Sequence, residues 1–150
     1  MYFSKDMKEL LRLFDKYGVE YLLVGGFAVN YYGYVRMTQD IDFLINPSKD
    51  NARRMMRCLS DFGFGAAGIS EELFKKEGSA IHLGVEPNRI DLLTKLKGLS
   101  NDTLFSQVNT TEIDGVGVKM ITLENLLGVK KASGRLRDQA DADELAALLD

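Results

Sequence analysis

Gln39-Asp40-Ile41-Asp42-Phe43-Leu44-Ile45 is an apolar run that carries two acids, and Leu22-Leu23-Val24-Gly25-Gly26 precedes it by one short spacer. Both runs have the composition of buried β-strands. Side chains alternate faces along a strand, so the carboxylates of Asp40 and Asp42 point to the same side, ~7 Å apart along the backbone. The sequence therefore predicts two negative charges side by side on a strand that is otherwise apolar.

This pair of acids predicts a metal ion, and the preceding glycines predict a phosphate. Like charges raise each other's pKa unless a cation lies between them, and Mg²⁺ or Mn²⁺ takes carboxylate, water and phosphate oxygens as ligands. Gly25 and Gly26 form a turn between a strand and a helix, where backbone N–H groups can receive a phosphate. Together these features indicate nucleotide chemistry.

Composition places the chain among ordinary globular proteins. Its 150 residues predict a single domain over residues 1–150, with 45% hydrophobic and 27% charged residues. The net charge of −3 argues against a protein that coats nucleic acid through bulk electrostatics. Cys58 is the only cysteine, which excludes an internal disulfide. No signal peptide or membrane-spanning run is recognised, so we expect a cytoplasmic protein.

Hydrophobic spacing and turn residues predict the order of elements along the chain. The predicted fold class is α/β, with a small mixed, partly antiparallel sheet flanked by helices and a C-terminal helical pair. Predicted helices lie between Ser4 and Gly18, at 27–32, at 51–59, from Thr122 through Ala132, and at 136–149. Predicted strands lie at 19–24, 40–45, 79–84, 89–94, 108–113 and 116–120, the last two joined by Asp114-Gly115.

A third acid, Asp91, lies in the apolar segment Arg89-Ile90-Asp91-Leu92-Leu93. Ile90 and Leu92 share one face of the predicted strand, so Asp91 lies on the other. If that face is shared with Asp40 and Asp42, three carboxylates converge from two strands. Such a group suits one or two Mg²⁺ ions that orient an attacking oxygen and stabilise departing pyrophosphate. Asp91 is then a candidate ligand of the second metal or acceptor of the nucleophile's proton.

The pattern resembles the nucleotidyltransferase superfamily that includes DNA polymerase β. Val24-Gly25-Gly26, a spacer of 13 residues, Asp40-Ile41-Asp42 and the later Asp91 carry that resemblance. Arg36-Met37-Thr38-Gln39 and the tail from Leu126 to Asp141 resemble the AbiEii-type branch of small bacterial nucleotidyltransferases. The likeness covers nearly the whole chain. It departs at Gly26, where many members have serine and therefore a hydroxyl.

The resemblance implies metal-dependent transfer of a nucleoside monophosphate from a nucleoside triphosphate (NTP) such as ATP to an acceptor. Gly25 and Gly26 would hold the triphosphate, Asp40, Asp42 and Asp91 the metal, and Lys130 would neutralise phosphate charge. The acceptor would be a tRNA end, a protein side chain or a small molecule such as an antibiotic. AbiEii-type proteins are often toxins, which implies a cognate antitoxin as a partner.

For several residues the sequence leaves two interpretations open. Arg36 and Thr38 either reach phosphate or only precede the acidic strand. Asp138 and Asp141 either favour the first turn of a helix through its dipole or pair with Lys130 or Arg135 and hold those cations toward the nucleotide. His82 is interpreted as structural, because the sequence offers it no second His or Cys. The rival function is a non-catalytic nucleotide-binding or interaction protein on the same fold.

Overall fold

The computed structural model describes residues 1–35, 37–63, 68–85 and 87–149. Its strands are β1 (Tyr21–Val24), β2 (Ile41–Ile45), β3 (Ala80–Leu83), β4 (Ile90–Leu93), β5 (Val108–Ile113) and β6 (Val116–Ile121). Its α-helices are α1 (Lys5–Tyr17), α2 (Gly25–Tyr31), α3 (Lys49–Phe62), α4 (Asn101–Ser106), α5 (Leu123–Ala132) and α6 (Leu136–Leu148). A single 3₁₀ turn within the described ranges spans Glu71–Phe74.

The strands form one mixed sheet in the order β3-β4-β2-β1-β6-β5. The central strands β1 and β2 are antiparallel, and each has a parallel neighbour on its other side, β6 and β4 respectively. The outer strands β3 and β5 are antiparallel to the strands they pair with. The predicted fold class, a mixed sheet flanked by helices with a helical pair at the C-terminal end, is confirmed.

The ends of the elements follow from local side-chain chemistry. Ser4 Oγ accepts a hydrogen bond from the Met7 backbone N–H at 3.2 Å and so begins α1, and Thr122 caps α5 in the same way. Gly18 ends α1 in the left-handed conformation, with φ of 65°. Asp114 and Gly115 both have positive φ, as a two-residue hairpin turn requires.

The core lies between the sheet and the helices and is built around the two central strands. All four residues of β1 are buried, as are four of the five in β2. The Phe14 ring of α1 packs edge-on against Phe43 of β2, with centroids 5.1 Å apart, and against Tyr21 of β1. Aromatic packing therefore anchors β2 on the face opposite Asp42, and this holds Asp42 in a fixed position.

Two elements are absent from the sequence-based prediction. The six-residue α4 is too short for a helical period to show, and its Asn, Asp, Thr and Ser are weak helix formers. The Glu71–Phe74 turn is shorter still. Strand β1 begins at Tyr21, two residues later than predicted. In the described part of the chain, no helix has the length and apolar character needed to cross a membrane.

We expect Asn51→Ala to lower the free energy of unfolding by ~2–3 kcal/mol. The buried Asn51 amide accepts from the Glu20 backbone N–H at 2.8 Å and donates to the carbonyls of Glu20 and Asn46. Alanine would leave three backbone groups without these partners. Urea denaturation measures the loss, and Arg53→Ala on the exposed face of the same helix should change stability by only ~0.5 kcal/mol or less. Equal losses in both variants would contradict this account.

Candidate active site

A cleft of about 760 Å³ opens beside the ends of β2 and β4. Its floor carries Asp40, Asp42 and Asp91, which we call the acidic triad. The first turn of α2 lines one side, and α5 together with the start of α6 lines another. The cationic side chains that line this cleft are Arg89, Lys95, Lys97, Lys130, Arg135 and Arg137.

Strand register brings Asp42 and Asp91 together. Strands β2 and β4 are parallel, and Asp42 and Asp91 are direct partners across the pair. Partners in a ladder have side chains on the same face of the sheet. Asp91 is almost fully buried, and Asp42 is only partly exposed. Two acids thus meet at the floor of the cleft, as the sequence pattern predicts for Asp91.

Burial and like charge perturb the Asp42 carboxyl. Burial raises the pKa of Asp42 to about 7, and the Asp91 carboxylate beside it, to which protonated Asp42 donates a hydrogen bond, acts in the same direction. Lys130 opposes this rise and Asp40 adds to it. Asp42 is therefore a buried acid whose charged form needs a cation.

Arg89 and His82 hold Asp91, and neither residue was identified as functional from the sequence. Arg89 donates through Nε and Nη2 to the two Asp91 oxygens at 2.8 and 3.1 Å, and His82 Nδ1 lies 2.6 Å from Asp91 Oδ1. Burial alone would raise the pKa of Asp91, but the hydrogen bonds from Arg89 and His82 outweigh it and lower that pKa. Alternation along the strand places Arg89 on the same face as Asp91, but the sequence does not show their contact, and His82 meets Asp91 only through the pairing of β3 with β4.

Asp40 joins the triad through Arg89. Arg89 Nη2 lies 3.4 Å from Asp40 Oδ2, whereas Asp40 Oδ1 is buried without a hydrogen-bond partner in the described structure. No three acidic, His or Cys side chains among the described residues are grouped closely enough to hold a metal ion as they stand. The structure therefore shows an Asp42–Asp91 pair with Asp40 bridged to it by an arginine, rather than three converging carboxylates.

Gly25 and Gly26 are the first two residues of α2 and line the cleft. Gly25 has φ of 70°, and a Cβ built on it would overlap Asp42 Oδ2 and stand 2.9 Å from Asp42 Cγ. Gly26 is buried within the same turn. Glycine at position 25 is therefore required by the close approach of the Asp42 carboxylate, in addition to any contact with a phosphate.

Lys130 lies in a buried ion-pair network between α5 and α6. Its Nζ is 2.9 Å from Asp138 Oδ1 and 3.2 Å from Asp141 Oδ2, and Arg135 Nε is 3.1 Å from Asp138 Oδ2. Of the two interpretations of these acids, the structure shows the pairing with Lys130 and Arg135. This network fixes Lys130 at the cleft wall, where its charge acts on Asp42.

The other candidate residues lie as follows. Thr38 lines the cleft, and its hydroxyl donates to the Asp40 carbonyl at 3.4 Å. Arg36 lies outside the described residues. His82, interpreted from the sequence as structural, contacts Asp91 directly with a side chain that is about half exposed. Tyr32 packs against the sheet, where its hydroxyl donates to the Ile121 carbonyl at 2.6 Å.

Gly25→Ala should destabilise the protein more than Gly18→Ala does. Both glycines have positive φ, which costs an alanine ~1 kcal/mol. No described atom beyond the chain neighbours lies within 4 Å of a Cβ at Gly18, so that variant isolates the backbone strain. At Gly25 the Asp42 side chain must also move, which adds ~1–3 kcal/mol. Urea denaturation measures the free energy of unfolding of both variants. Equal losses would show that the Asp42 side chain can move aside without cost.

The stability advantage of metal-free Asp42→Asn over the wild type should be ~2–3 kcal/mol larger near pH 8.5 than near pH 5. The folded protein keeps a proton on Asp42 between about pH 4 and about pH 7, where the unfolded chain has released it. The stabilisation from that proton is complete below this window, falls steadily as the pH rises across it, and is fully lost once the pH has passed the folded pKa of about 7. Asparagine has no such charge to acquire. Urea denaturation in EDTA at both pH values measures the difference.

Asp141→Asn is the matched control for this experiment. Asp141 is buried and ion-paired with Lys130, so its charge stabilises the fold. Loss of this charge should lower the free energy of unfolding by ~2 kcal/mol or more at both pH values. An Asp42→Asn variant that behaves like Asp141→Asn at pH 8.5 would show that the Asp42 charge supports the fold.

Solved structures share this architecture. A candidate nucleotidyltransferase from Thermotoga maritima superimposes with a TM-score of 0.59 at 15% identity, covering 95% of this chain and 89% of that one. The lincosamide antibiotic adenylyltransferase LnuA, solved with lincomycin bound, gives 0.53 at 16% identity, covering 97% of both chains. ANT(2")-Ia, solved with adenylyl-2"-tobramycin, gives 0.55 at 12% identity, covering 96% and 87%. At these identities the likeness shows the nucleotidyltransferase fold.

Sequence comparison gives the family. No curated protein sequence matches the chain significantly. A family model described as nucleotidyl transferase of unknown function (DUF2204) matches residues 3–150, nearly the whole chain. The mixed sheet and the C-terminal helical pair agree with that match. The chain therefore belongs to this nucleotidyl transferase family.

Proposed function

We propose that this protein transfers a nucleoside monophosphate from an NTP to an acceptor and releases pyrophosphate. The observation that carries the proposal is the register of β2 and β4, which sets Asp42 against Asp91 on the floor of a cleft. Family membership supports the same reaction class. In this reaction an acceptor oxygen forms a bond to the α-phosphorus, the bond to the bridging oxygen of pyrophosphate breaks, and the acceptor proton passes to a base or to water.

The acidic triad fits a divalent cation, Mg²⁺ or Mn²⁺. Asp40 has a buried oxygen with no hydrogen-bond partner in the described structure, and Asp42 is a desolvated acid beside a second carboxylate. Hard carboxylate oxygens are the donors that these ions prefer. The chemistry supplied by such an ion is neutralisation of charge on the departing pyrophosphate and orientation of the attacking oxygen.

The residues around the triad suit a triphosphate. Gly25 and Gly26 line the cleft, and their lack of side chains would permit a phosphate to approach their backbone N–H groups closely. Lys130 supplies a positive charge whose position is fixed by Asp138 and Asp141. Thr38 offers a hydroxyl at the same wall, and Arg36 stays a candidate from the sequence. We propose that these groups bind the NTP, with ATP as the first donor to test.

The proposed role of Asp91 is to hold charge rather than to accept the proton. Its carboxylate already accepts hydrogen bonds from Arg89 and His82, and its pKa is lowered. A carboxylate stabilised in this way is a weak general base. We therefore assign it, with Asp40 and Asp42, to the metal, and leave the acceptor proton to bulk water or to a group on the acceptor.

The acceptor is proposed from three classes: a small molecule, a tRNA end or a protein side chain. The names of LnuA and ANT(2")-Ia identify adenylyl transfer to antibiotics in proteins of this fold, which favours a small-molecule hydroxyl as the first class to test. The AbiEii-type resemblance favours a toxin with a cognate antitoxin. A non-catalytic nucleotide-binding protein is the rival, and it predicts NTP binding without transfer.

A transfer assay tests the proposal. Each α-labelled NTP is incubated with the protein, Mg²⁺ and, separately, tRNA, cell protein, and lincosamide or aminoglycoside antibiotics. We expect labelled acceptor and released pyrophosphate with one of these classes, and no product in EDTA. Asp42→Asn should reduce the rate by ~10²-fold or more, because a ligand of the ion that stabilises the transition state is lost.

The matched control is Asp50→Asn, an exposed acid in the first turn of α3 that does not line the cleft. It should keep full activity. NTP binding that is enhanced by Mg²⁺ with no labelled product from any acceptor would favour the rival binding protein. Transfer that persists in EDTA would contradict the metal-dependent mechanism.

A further inference from the structure

We propose that Arg89 is the internal counter-ion of the acidic triad, so that it competes with a divalent cation and keeps metal affinity low until a nucleotide binds. This inference rests on the proposed function, since it takes the triad to be the metal site. It concerns a residue that the sequence pattern did not identify and that no family motif quoted above includes.

The contacts of Arg89 cover the oxygens that a metal ion needs. Its guanidinium forms a two-point contact with both oxygens of Asp91 and also reaches Asp40 Oδ2. Each carboxylate oxygen keeps a second lone pair, so binding of an ion there is sterically possible. The ion would nevertheless lie close to a fixed positive charge, and the repulsion lowers its affinity.

The charge on Arg89 cannot be removed by a change of pH. A guanidinium stays protonated throughout the range in which proteins are folded. Only a competing anion can therefore draw Arg89 away from the triad. The side chain is about one-third exposed and lines the cleft, so phosphate oxygens that enter the cleft can reach it.

A triphosphate supplies that competing anion. Arginine binds phosphate through the same two-point geometry that it uses with a carboxylate. When the guanidinium turns to a phosphate, the triad loses its internal cation at the moment when the nucleotide arrives with its metal. Metal and nucleotide should consequently strengthen each other's binding, and the coupling is reciprocal.

A purely structural role for Arg89 makes a different prediction. If Arg89 only holds the start of β4, its removal lowers stability and leaves metal affinity unchanged or weaker. If it is the counter-ion, its removal takes the guanidinium away from Asp40 and Asp91, and metal affinity rises. The affinity for metal without nucleotide separates the two roles.

The experiment measures Mn²⁺ binding to the nucleotide-free protein at pH 8, by electron paramagnetic resonance of the free ion. We expect Arg89→Gln to bind Mn²⁺ on the order of tenfold more tightly than the wild type, as removal of one nearby positive charge in a well-solvated cleft predicts. Arg53→Gln is the matched control. It removes the same charge from the exposed face of α3, at a residue that does not line the cleft, and should leave the affinity unchanged.

Arg89→Lys keeps the test decisive if Arg89→Gln does not fold. Lysine retains the charge but cannot contact both Asp91 oxygens in a fixed plane. We expect its Mn²⁺ affinity to lie between those of the wild type and Arg89→Gln, and an affinity equal to that of the wild type would count against the inference. The Asp42→Asn, Arg89→Gln double variant should lose the gained affinity, which places the added binding at the triad.

The outcomes separate this inference from the proposed function. Tighter binding by Arg89→Gln, lost in the double variant, supports both. Equal and measurable Mn²⁺ affinity in the wild type and Arg89→Gln overturns the role of Arg89 and leaves the metal site standing. No Mn²⁺ binding by any folded variant overturns both, because the triad is then not a metal site.

Discussion

The pairing of Asp42 with Asp91 is the constraint on which the rest of the site depends. Parallel register between β2 and β4 sets two carboxyls against each other on one face of the sheet, where burial raises the pKa of Asp42 to about 7. A strand slip of one residue would send one of the two to the opposite face. Phe14 packs against Phe43 on the other face of β2 and so helps to fix the register of this strand. Packing in the core therefore holds the two carboxyls in position against each other.

The residues around this pair of acids either stabilise its negative charge or leave room for it. Arg89 and His82 hydrogen-bond to Asp91, and Lys130 acts on Asp42 from the opposite wall. Gly25 has no side chain, because a Cβ would overlap the Asp42 carboxylate. Lys130 is itself held by two acids on α6, so the C-terminal helical pair contributes a fixed cation to the cleft. Elements far apart in the sequence therefore meet around one pair of acids.

Much of the architecture could be predicted from residue patterns, because caps, glycine stops and the Asp114-Gly115 turn act locally. Alternation along β4 also predicted the strand face on which Asp91 lies, whereas its pairing with the acidic strand β2 is known only from the structure. The position of Arg89 could not be predicted in the same way, since whether it extends to solvent or folds back on Asp91 depends on strand pairing. His82 illustrates the same point: its contact with Asp91 crosses from β3 to β4, and a single strand's sequence does not show its partner.

Net charge and local charge differ in this protein, and the difference bears on what the cleft can bind. The chain carries a net charge of −3, yet Lys95, Lys97 and Arg137 line the cleft around the acidic floor. Lys130 and Arg135 are balanced by Asp138 and Asp141, so they fix geometry more than they add net charge. Lys97 and Arg137 have no ion-pair partner in the described ranges, so no neighbouring described acid balances their charges. The floor of the cleft is therefore acidic and its rim cationic, which is the division of charge that the proposed metal-bound triphosphate requires.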